Sequence, residues 1–418
     1  MGESNLLDKP LRITFITGHL CKERHALLNE LALDLGEYGA KVTVITGFPS
    51  RRISKEVRDY YLNHPVEQIS ENVIVKRFGS KRGEGKGLFD RMIKYFFLTK
   101  KLYKEAKKTP TDVYYLYSTP FFLGYIGKKL RKTAPTVYNA QDLFPDTLAH
   151  TKKMSEKNPL IKYFRRKERA VYQSNTRIIT ISQEMKKTII ANGGCPDSID
   201  VIYNWADTES LHHVDKKENT LFDEFNISRN DFIISYAGDL GLFQGWDCIL
   251  DAAKLINKEN SSIKFVLIGN GSYKQTILDR VEKENILNVS VLPFQPASRL
   301  SEVYSLGDIE LLPIEKGLTK MALPSKNGVI MATGSPVLAI VDSYSDIHDI
   351  VQDNSIGYCV EPGNLDSLVS TIKKAFDNAK QLKDFGSNAR HFAIENYSRK
   401  EQTKKYYKQM KETAYGQL

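Results

Sequence analysis

The stretch YAGDLGLFQGWDCILDAAKLI, residues 236–256, follows at once on the β-branched run that begins at Phe232. A strand, a glycine-rich turn and a helix in that order make half of a βαβ unit. Gly238, Gly241 and Gly245 let a ligand approach the backbone closely, and a helix starting near Trp246 offers its free N–H groups to a phosphate. The spacing matches neither G-x-G-x-x-G nor the G-K-[ST] of a Walker loop, and a tight turn without a ligand accounts for the same glycines. Outward from this stretch, strand-like runs at 264–268, 289–292, 309–312, 337–340 and 357–360 alternate with helical patterns. Upstream the same alternation carries runs at 12–17, 41–45, 73–77, 113–118, 136–139, 177–180 and 199–203. Such alternation predicts an α/β protein with parallel sheets and crossover helices. The polar stretch 207–228 separates the two sets and reads as the connection between domains at 1–206 and 207–396, with a Lys- and Tyr-rich helix at 397–418.

A chain of 418 residues suits two domains of roughly 200 residues each, and 41% hydrophobic with 26% charged residues is the balance of a globular protein. The N-terminus lacks a signal-peptide pattern and no run approaches a membrane span, so a cytoplasmic location is expected. Cys21, Cys195, Cys248 and Cys359 are scattered, without a C-x-x-C pair, and predict neither zinc nor a disulfide framework. The net charge of +10 calls for an anionic partner. Residues 81–108 hold ten Lys or Arg against three acids, interleaved with Leu88, Phe89, Met92, Ile93, Phe96, Phe97 and Leu102 at helical spacing. That pattern fits a helix on an anionic bilayer, and equally a helix with an apolar stripe on the core and solvated lysines.

Doubly wound domains carry their functional loops at the carboxyl ends of the strands, in the cleft between them. Beyond the first loop, LPSKNGVIMATGSPVLA at 323–339 predicts a helix capped by Ser325, with Pro324 before it and Lys326 as a cation beside a phosphate. Asn270 and Gly271 end one strand. Phe294 and Gln295 follow the next, where a nucleotide base finds backbone partners and an aromatic ring. In the first half, GHLCKERH places Gly18, Glu23, Arg24 and His25 after a strand, and YNAQDLFPD places Asp142 after another. Arg24 and His25 also read as a solvated helix start, and Asp142 as a turn cap.

The ordered set YAGDLGLFQG, FVLIGNG, VLPFQP, DIELLPI and PSKNGVIMATGSPVLA, with YNAQDLFPD, RIITIS and VIYNWAD upstream, resembles bacterial family 4 glycosyltransferases, nearest to the N-acetyl-fucosamine transferase branch. The resemblance covers nearly the whole chain. It implies the GT-B fold, two Rossmann-like domains facing a central cleft, with the acceptor in the first and a nucleotide sugar in the second. The tail helix would cross back onto the first domain. It also implies retaining transfer from a nucleoside diphosphate sugar, UDP favoured, to a saccharide acceptor, lipid-linked, in capsule, O-antigen or exopolysaccharide assembly. Gly238, Gly241, Gln244, Asn270, Gly271, Phe294, Gln295, Pro324, Ser325 and Lys326 become the donor set, and Gly18, Glu23, Arg24 and His25 the acceptor side, with Gly18 leaving room for ligand. Asp142, where relatives often carry histidine, becomes a catalytic candidate with Lys326. Where many relatives have two Glu eight apart, this chain has Met321 and Val329, and where they have Arg and Lys it has Asp239 and Gln244.

No D-x-D and no H-E-x-x-H occur, so no cofactor or essential metal is expected, and charge on the leaving diphosphate falls to Lys326 and backbone N–H groups. Nucleic acid is not among the expected partners. Two other readings share the architecture: a UDP-sugar 2-epimerase, which would show further acids and histidines in the cleft, and a catalytically degenerate partner subunit of a transferase.

Overall fold

The structure is a computed structural model and describes residues 9–23, 25–49, 53–79, 88–143, 145, 157–319 and 326–416. It divides into two compact units, Met1–Tyr203 with Gln402–Leu418, and Asn204–Glu401.

Among the described residues, unit 1 contains an eight-stranded sheet built from β1 (Arg12–His19), β2 (Lys41–Gly47), β3 (Val66–Ser70), β4 (Val73–Phe78), β5 (Val113–Tyr117), β6 (Thr136–Ala140), β7 (Arg177–Thr180) and β8 (Ile199–Val201). Their order across the sheet is β3-β4-β2-β1-β5-β6-β7-β8. All neighbours run parallel except β3 against β4. The antiparallel β3 departs from the purely parallel reading. VEQIS is a polar edge strand with no apolar run to announce it, because an edge strand is not covered on both faces. The central strands are the opposite case: Phe15, Ile16, Val44, Tyr115 and Leu116 are all at 0% exposure, which is why their sequences are apolar without alternation.

Unit 2 contains a six-stranded parallel sheet of β9 (Phe232–Asp239), β10 (Ile263–Asn270), β11 (Val289–Leu292), β12 (Ile309–Pro313), β13 (Val337–Ile340) and β14 (Gly357–Val360), in the order β11-β10-β9-β12-β13-β14. This is a doubly wound order whose direction reverses between β9 and β12, the point at which such sheets bind ligands. The core under it includes Ile234, Leu250, Phe265, Leu267, Leu311, Leu338 and Ile372.

The stretch 207–228 is not a free connection. Val214 N–H donates to Ser305 Oγ at 3.1 Å, Lys216 pairs with Asp308 at 2.6 Å, and Asn219 donates to the Glu302 carbonyl at 2.7 Å, while Phe222 is buried. Lys216, Asn219 and the Val214 backbone tie the stretch to unit 2, which begins at Asn204.

Candidate functional site

At the reversal point of unit 2, β9 ends in Gly238 and Asp239, which lie in register with Gly269 and Asn270 of β10. Gly238 has φ +146°, and a Cβ on Gly269 would lie 1.9 Å from the Gly238 carbonyl, so this close pairing of strand ends requires glycine. The loops beyond are tied together: Leu240 N–H donates to the Asn270 carbonyl at 3.0 Å, and Tyr273 N–H to the Leu240 carbonyl at 2.8 Å. Glu315 N–H, beyond β12, donates to the Phe243 carbonyl at 2.8 Å. Trp246 opens the helix Trp246–Glu259 and anchors the turn before it. Its ring is 2% exposed and edge-on to Tyr236 at 4.8 Å, and Nε1 donates to the Gly241 carbonyl at 2.9 Å.

Lys326 begins the short helix Lys326–Ala332, and its Nζ lies 3.7 Å from the centre of the Tyr236 ring. A Cβ built on Gly238 would lie 3.7 Å from that Nζ. The ammonium is sealed from solvent and has no hydrogen-bond partner among the described residues. Burial pushes its pKa down to about 7, against the opposing fields of Glu310 and Asp239. An unpaired interior cation costs several kcal/mol unless something supplies the missing charge. Gln244 Oε1 is likewise buried without a partner among the described residues.

The other donor candidates divide. Asn270 accepts its neighbour's N–H from Gly271, and Gly271 packs so closely on Leu240 that a Cβ would lie 2.3 Å from its carbonyl. Phe294 exposes 72% of its surface, a free ring face. Gln295 is buried and serves its own loop, donating to the Pro293 carbonyl and accepting from Arg299. Pro324, Ser325 and Met321 lie outside the described residues.

In unit 1 the reversal point falls between β1 and β5. Gly18 N–H donates to the Thr119 carbonyl at 3.1 Å, and a Cβ there would lie 2.3 Å from Pro120 Cδ. The room that Gly18 makes is therefore filled by Pro120 rather than left for ligand. Asp142 follows β6, the neighbour of β5; it reaches solvent, yet crowding by protein on its other sides raises its carboxyl pKa above the usual range. Its charge is felt by Tyr117 and Tyr138. Glu23 accepts from Tyr61 at 3.1 Å, and His25 Nδ1 accepts from Cys21 N–H at 3.2 Å, so both side chains also brace the loop that carries them. Arg24 lies outside the described residues.

Three residues escaped the sequence reading. Tyr236 walls the Lys326 ammonium. Glu310 is a buried acid in the middle of β12. Asp342 accepts from Gly317 N–H and Thr319 Oγ1, both at 2.8 Å, and so fixes the loop after β12. The signal for Glu310 was present, as one acid within the apolar run IELLP.

Residues 26–210 match Glycosyltransferase Family 4, and residues 217–392 match Glycosyl transferases group 1, so the two matches occupy nearly all of the chain around both reversal points. The chain belongs to the family 4 glycosyltransferases. WcaI of Escherichia coli, named as a colanic acid biosynthesis glycosyl transferase, is 26% identical over 210 residues, 50% of this glycosyltransferase and 51% of the relative. The lipopolysaccharide 1,2-N-acetylglucosaminetransferase of Salmonella typhimurium is 24% identical over 206 residues, 46% of this chain and 52% of the relative. The glycosyltransferase thus spans about half the length of these curated relatives. Among solved structures, HepE of Anabaena in complex with UDP superposes with a TM-score of 0.70 at 15% identity, covering 96% of this chain and 100% of the other. Sucrose-phosphate synthase of Thermosynechococcus elongatus gives 0.72 at 15% identity, covering 96% and 98%. At such identities the likeness speaks for the fold, which is GT-B with two Rossmann-like domains.

Proposed function

We propose that this chain is a retaining glycosyltransferase that moves a sugar from a nucleoside diphosphate, uridine favoured, to a lipid-linked saccharide in the assembly of a bacterial surface polysaccharide. The observation that carries the reading is the Lys326 ammonium, buried without a hydrogen-bond partner among the described residues beside Gly238 at the reversal point of unit 2. A diphosphate there supplies the anion that the lysine lacks, and backbone N–H groups of the glycine loop share the load. When the bond from the anomeric carbon to the diphosphate oxygen breaks, negative charge grows on that oxygen, and a cation already in place stabilises it without reorganisation. The acceptor oxygen then bonds to the anomeric carbon on the face the diphosphate leaves, and its proton departs. In unit 1 we assign Asp142 to a sugar hydroxyl or to that proton, since a carboxyl with a raised pKa is a better base than an ordinary one. UDP is favoured because HepE was solved with it, and a surface polysaccharide because relatives are named for colanic acid and lipopolysaccharide. The reading includes no essential metal, so activity is expected to survive chelation.

A second observation supports a membrane-bound acceptor. On the helix Leu88–Lys108, Thr99, Leu102 and Ala106 are buried, while Ile93, Phe96 and Phe97 are 41%, 47% and 63% exposed beside exposed Lys100, Lys101, Lys104, Lys107 and Lys108. Aromatic rings next to a lysine row fit one occupant, an anionic bilayer surface. No helix among the described residues is long and apolar enough to cross the bilayer.

The test is thermal shift against UDP-, GDP- and dTDP-sugars, with Lys326→Ala alongside. A UDP-sugar should raise the midpoint of the native protein, and the variant should lose most of that rise. No shift at millimolar ligand, or an unchanged shift in the variant, would remove the reading.

A further inference from the structure

A cavity of about 360 Å³ lies in unit 1, between the sheet and the C-terminal end of the helix Leu88–Lys108. Register sets Arg12 beside Lys41 and Ile45 beside Lys76, and side chains two apart along a strand share a face. Arg12, Lys41, Ile45, Lys76 and Phe78 therefore line one face together, and Lys108 joins them from the helix end. A sheet face under a helix is ordinarily apolar. This one carries cations, and Glu105 is the one acid lining the cavity among the described residues. Arg12 and Lys41 are the first residues of β1 and β2, at the end of the parallel strands opposite to Gly18 and Asp142.

Two of the four cations already have an acid. Arg12 Nε donates to Asp112 Oδ2 at 3.1 Å, and Lys108 shares Glu105 with Lys101, each at 3.3 Å. The other two have none. Lys41 Nζ donates to the neutral Asn72 Oδ1 at 2.5 Å, and Lys76 is half-buried with no hydrogen bond or ion pair among the described residues. Two uncompensated ammoniums on neighbouring strands, gathered into one concavity, repel each other until an anion joins them.

We infer that this cavity is a second binding site, for a small phosphate ester whose phosphate meets Lys41 and Lys76. A phosphate brings the charge that the two ammoniums lack, and lysine binds it as a point charge. The volume falls in the range of small-molecule sites, and the fully buried Ile45 with the Phe78 ring gives the organic group an apolar floor. The site lies wholly in unit 1, apart from Lys326 and the donor loops of unit 2. Two sources carry this chemistry, a free sugar or polyol phosphate and the headgroup of an anionic phospholipid.

The experiment is calorimetric titration of the full chain with glycerol 3-phosphate and, in a second arm, with dihexanoyl phosphatidylglycerol below its micelle concentration. Saturable binding in either arm supports the site, and the arm that binds more tightly identifies the source. Glycerol, the uncharged counterpart, should not bind. Lys76→Met keeps an unbranched side chain and removes the charge. It should weaken binding about 10- to 100-fold, the loss expected for one charge-assisted hydrogen bond. Lys41→Met should do the same, while Lys326→Ala, in the other unit, should change nothing. Modification by acetic anhydride, mapped by mass spectrometry, needs no variant to fold: the bound ester should slow reaction at Lys41 and Lys76 and leave the exposed Lys100 and Lys104 at their own rates. No binding in either arm at millimolar ligand, or no protection of Lys41 and Lys76, would overturn the site. So would binding that survives both methionine variants, or binding lost in Lys326→Ala and kept in Lys76→Met, since the ester would then be entering the donor site.

Discussion

At the scale of single residues, the proposed donor site in unit 2 depends on backbone geometry that few residues adopt. Gly238 is the clearest case. With φ +146°, a side chain there is strained wherever it points, although a Cβ would meet only Tyr236 Oη and Lys326 Nζ at ordinary distances of 3.5 and 3.7 Å. Gly238→Ala should therefore lower stability by about 1–3 kcal/mol through backbone strain, measured by denaturant unfolding, and weaken UDP binding. Asp142 makes the opposite case. Its carboxyl pKa is raised in the folded protein, so ionisation costs stability, and that cost is fully present at pH values above the folded pKa. Asp142→Asn removes the charge without changing the shape. It should leave the melting midpoint at pH 7 unchanged or higher while turnover falls by about 10²- to 10⁴-fold, the range for losing a positioned proton acceptor. A variant that keeps native turnover would reduce Asp142 to a turn residue.

At the scale of elements, the helix Leu88–Lys108 carries a prediction of its own. Phe96→Ala with Phe97→Ala removes two exposed rings and disturbs none of the buried Thr99, Leu102 and Ala106. Binding to vesicles of phosphatidylglycerol and phosphatidylcholine, followed by co-sedimentation, should weaken by at least tenfold, since each lost apolar side chain is worth about 1.5–3 kcal/mol when buried. Raising the salt should weaken the native protein further. No vesicle binding by the native protein would leave the exposed face as solvated surface. Strands were legible from their apolar and β-branched runs: 177–180, 289–292, 337–340 and 357–360 coincide with β7, β11, β13 and β14, and β13, VLAI, is buried along its whole length. The polar edge strand β3 was not, because half of its surface faces away from the core. The glycine loop and Lys326 were visible as loop residues after strands; Glu310 showed only as one acid in an apolar run, since Ser235, which donates to it, comes from a strand 75 residues earlier in the chain. Gly18 was read, by resemblance, as leaving room for a ligand, whereas the fold shows that Pro120 fills that space.

At the scale of the whole molecule, the two units give handles that can be moved separately. The helix Arg399–Tyr415 returns the chain from unit 2 to unit 1, and from Gln402 onward it belongs to unit 1. There Tyr406 is 1% exposed, accepts from Asn139 Nδ2 at 2.8 Å and meets the Tyr115 ring edge-on at 6.1 Å, while Met410 is fully buried and Tyr38 Oη lies 2.9 Å from Thr403 Oγ1. Tyr406→Ala opens a cavity among aromatic neighbours and leaves the Asn139 amide with one acceptor fewer. It should cost unit 1 about 3–5 kcal/mol, the range for removing a buried aromatic side chain. On the proposed function, donor binding acts on the other unit, where a nucleotide sugar at 100 times its Kd would add about 2.7 kcal/mol to the folded state. Scanning calorimetry of the native protein, with and without UDP-sugar, and of Tyr406→Ala under both conditions, should separate the two. The variant should show a transition moved to lower temperature that ligand does not restore, and a second transition that ligand still raises. If the substitution and the ligand shift one common transition instead, the units unfold as a single cooperative body and the return helix serves both.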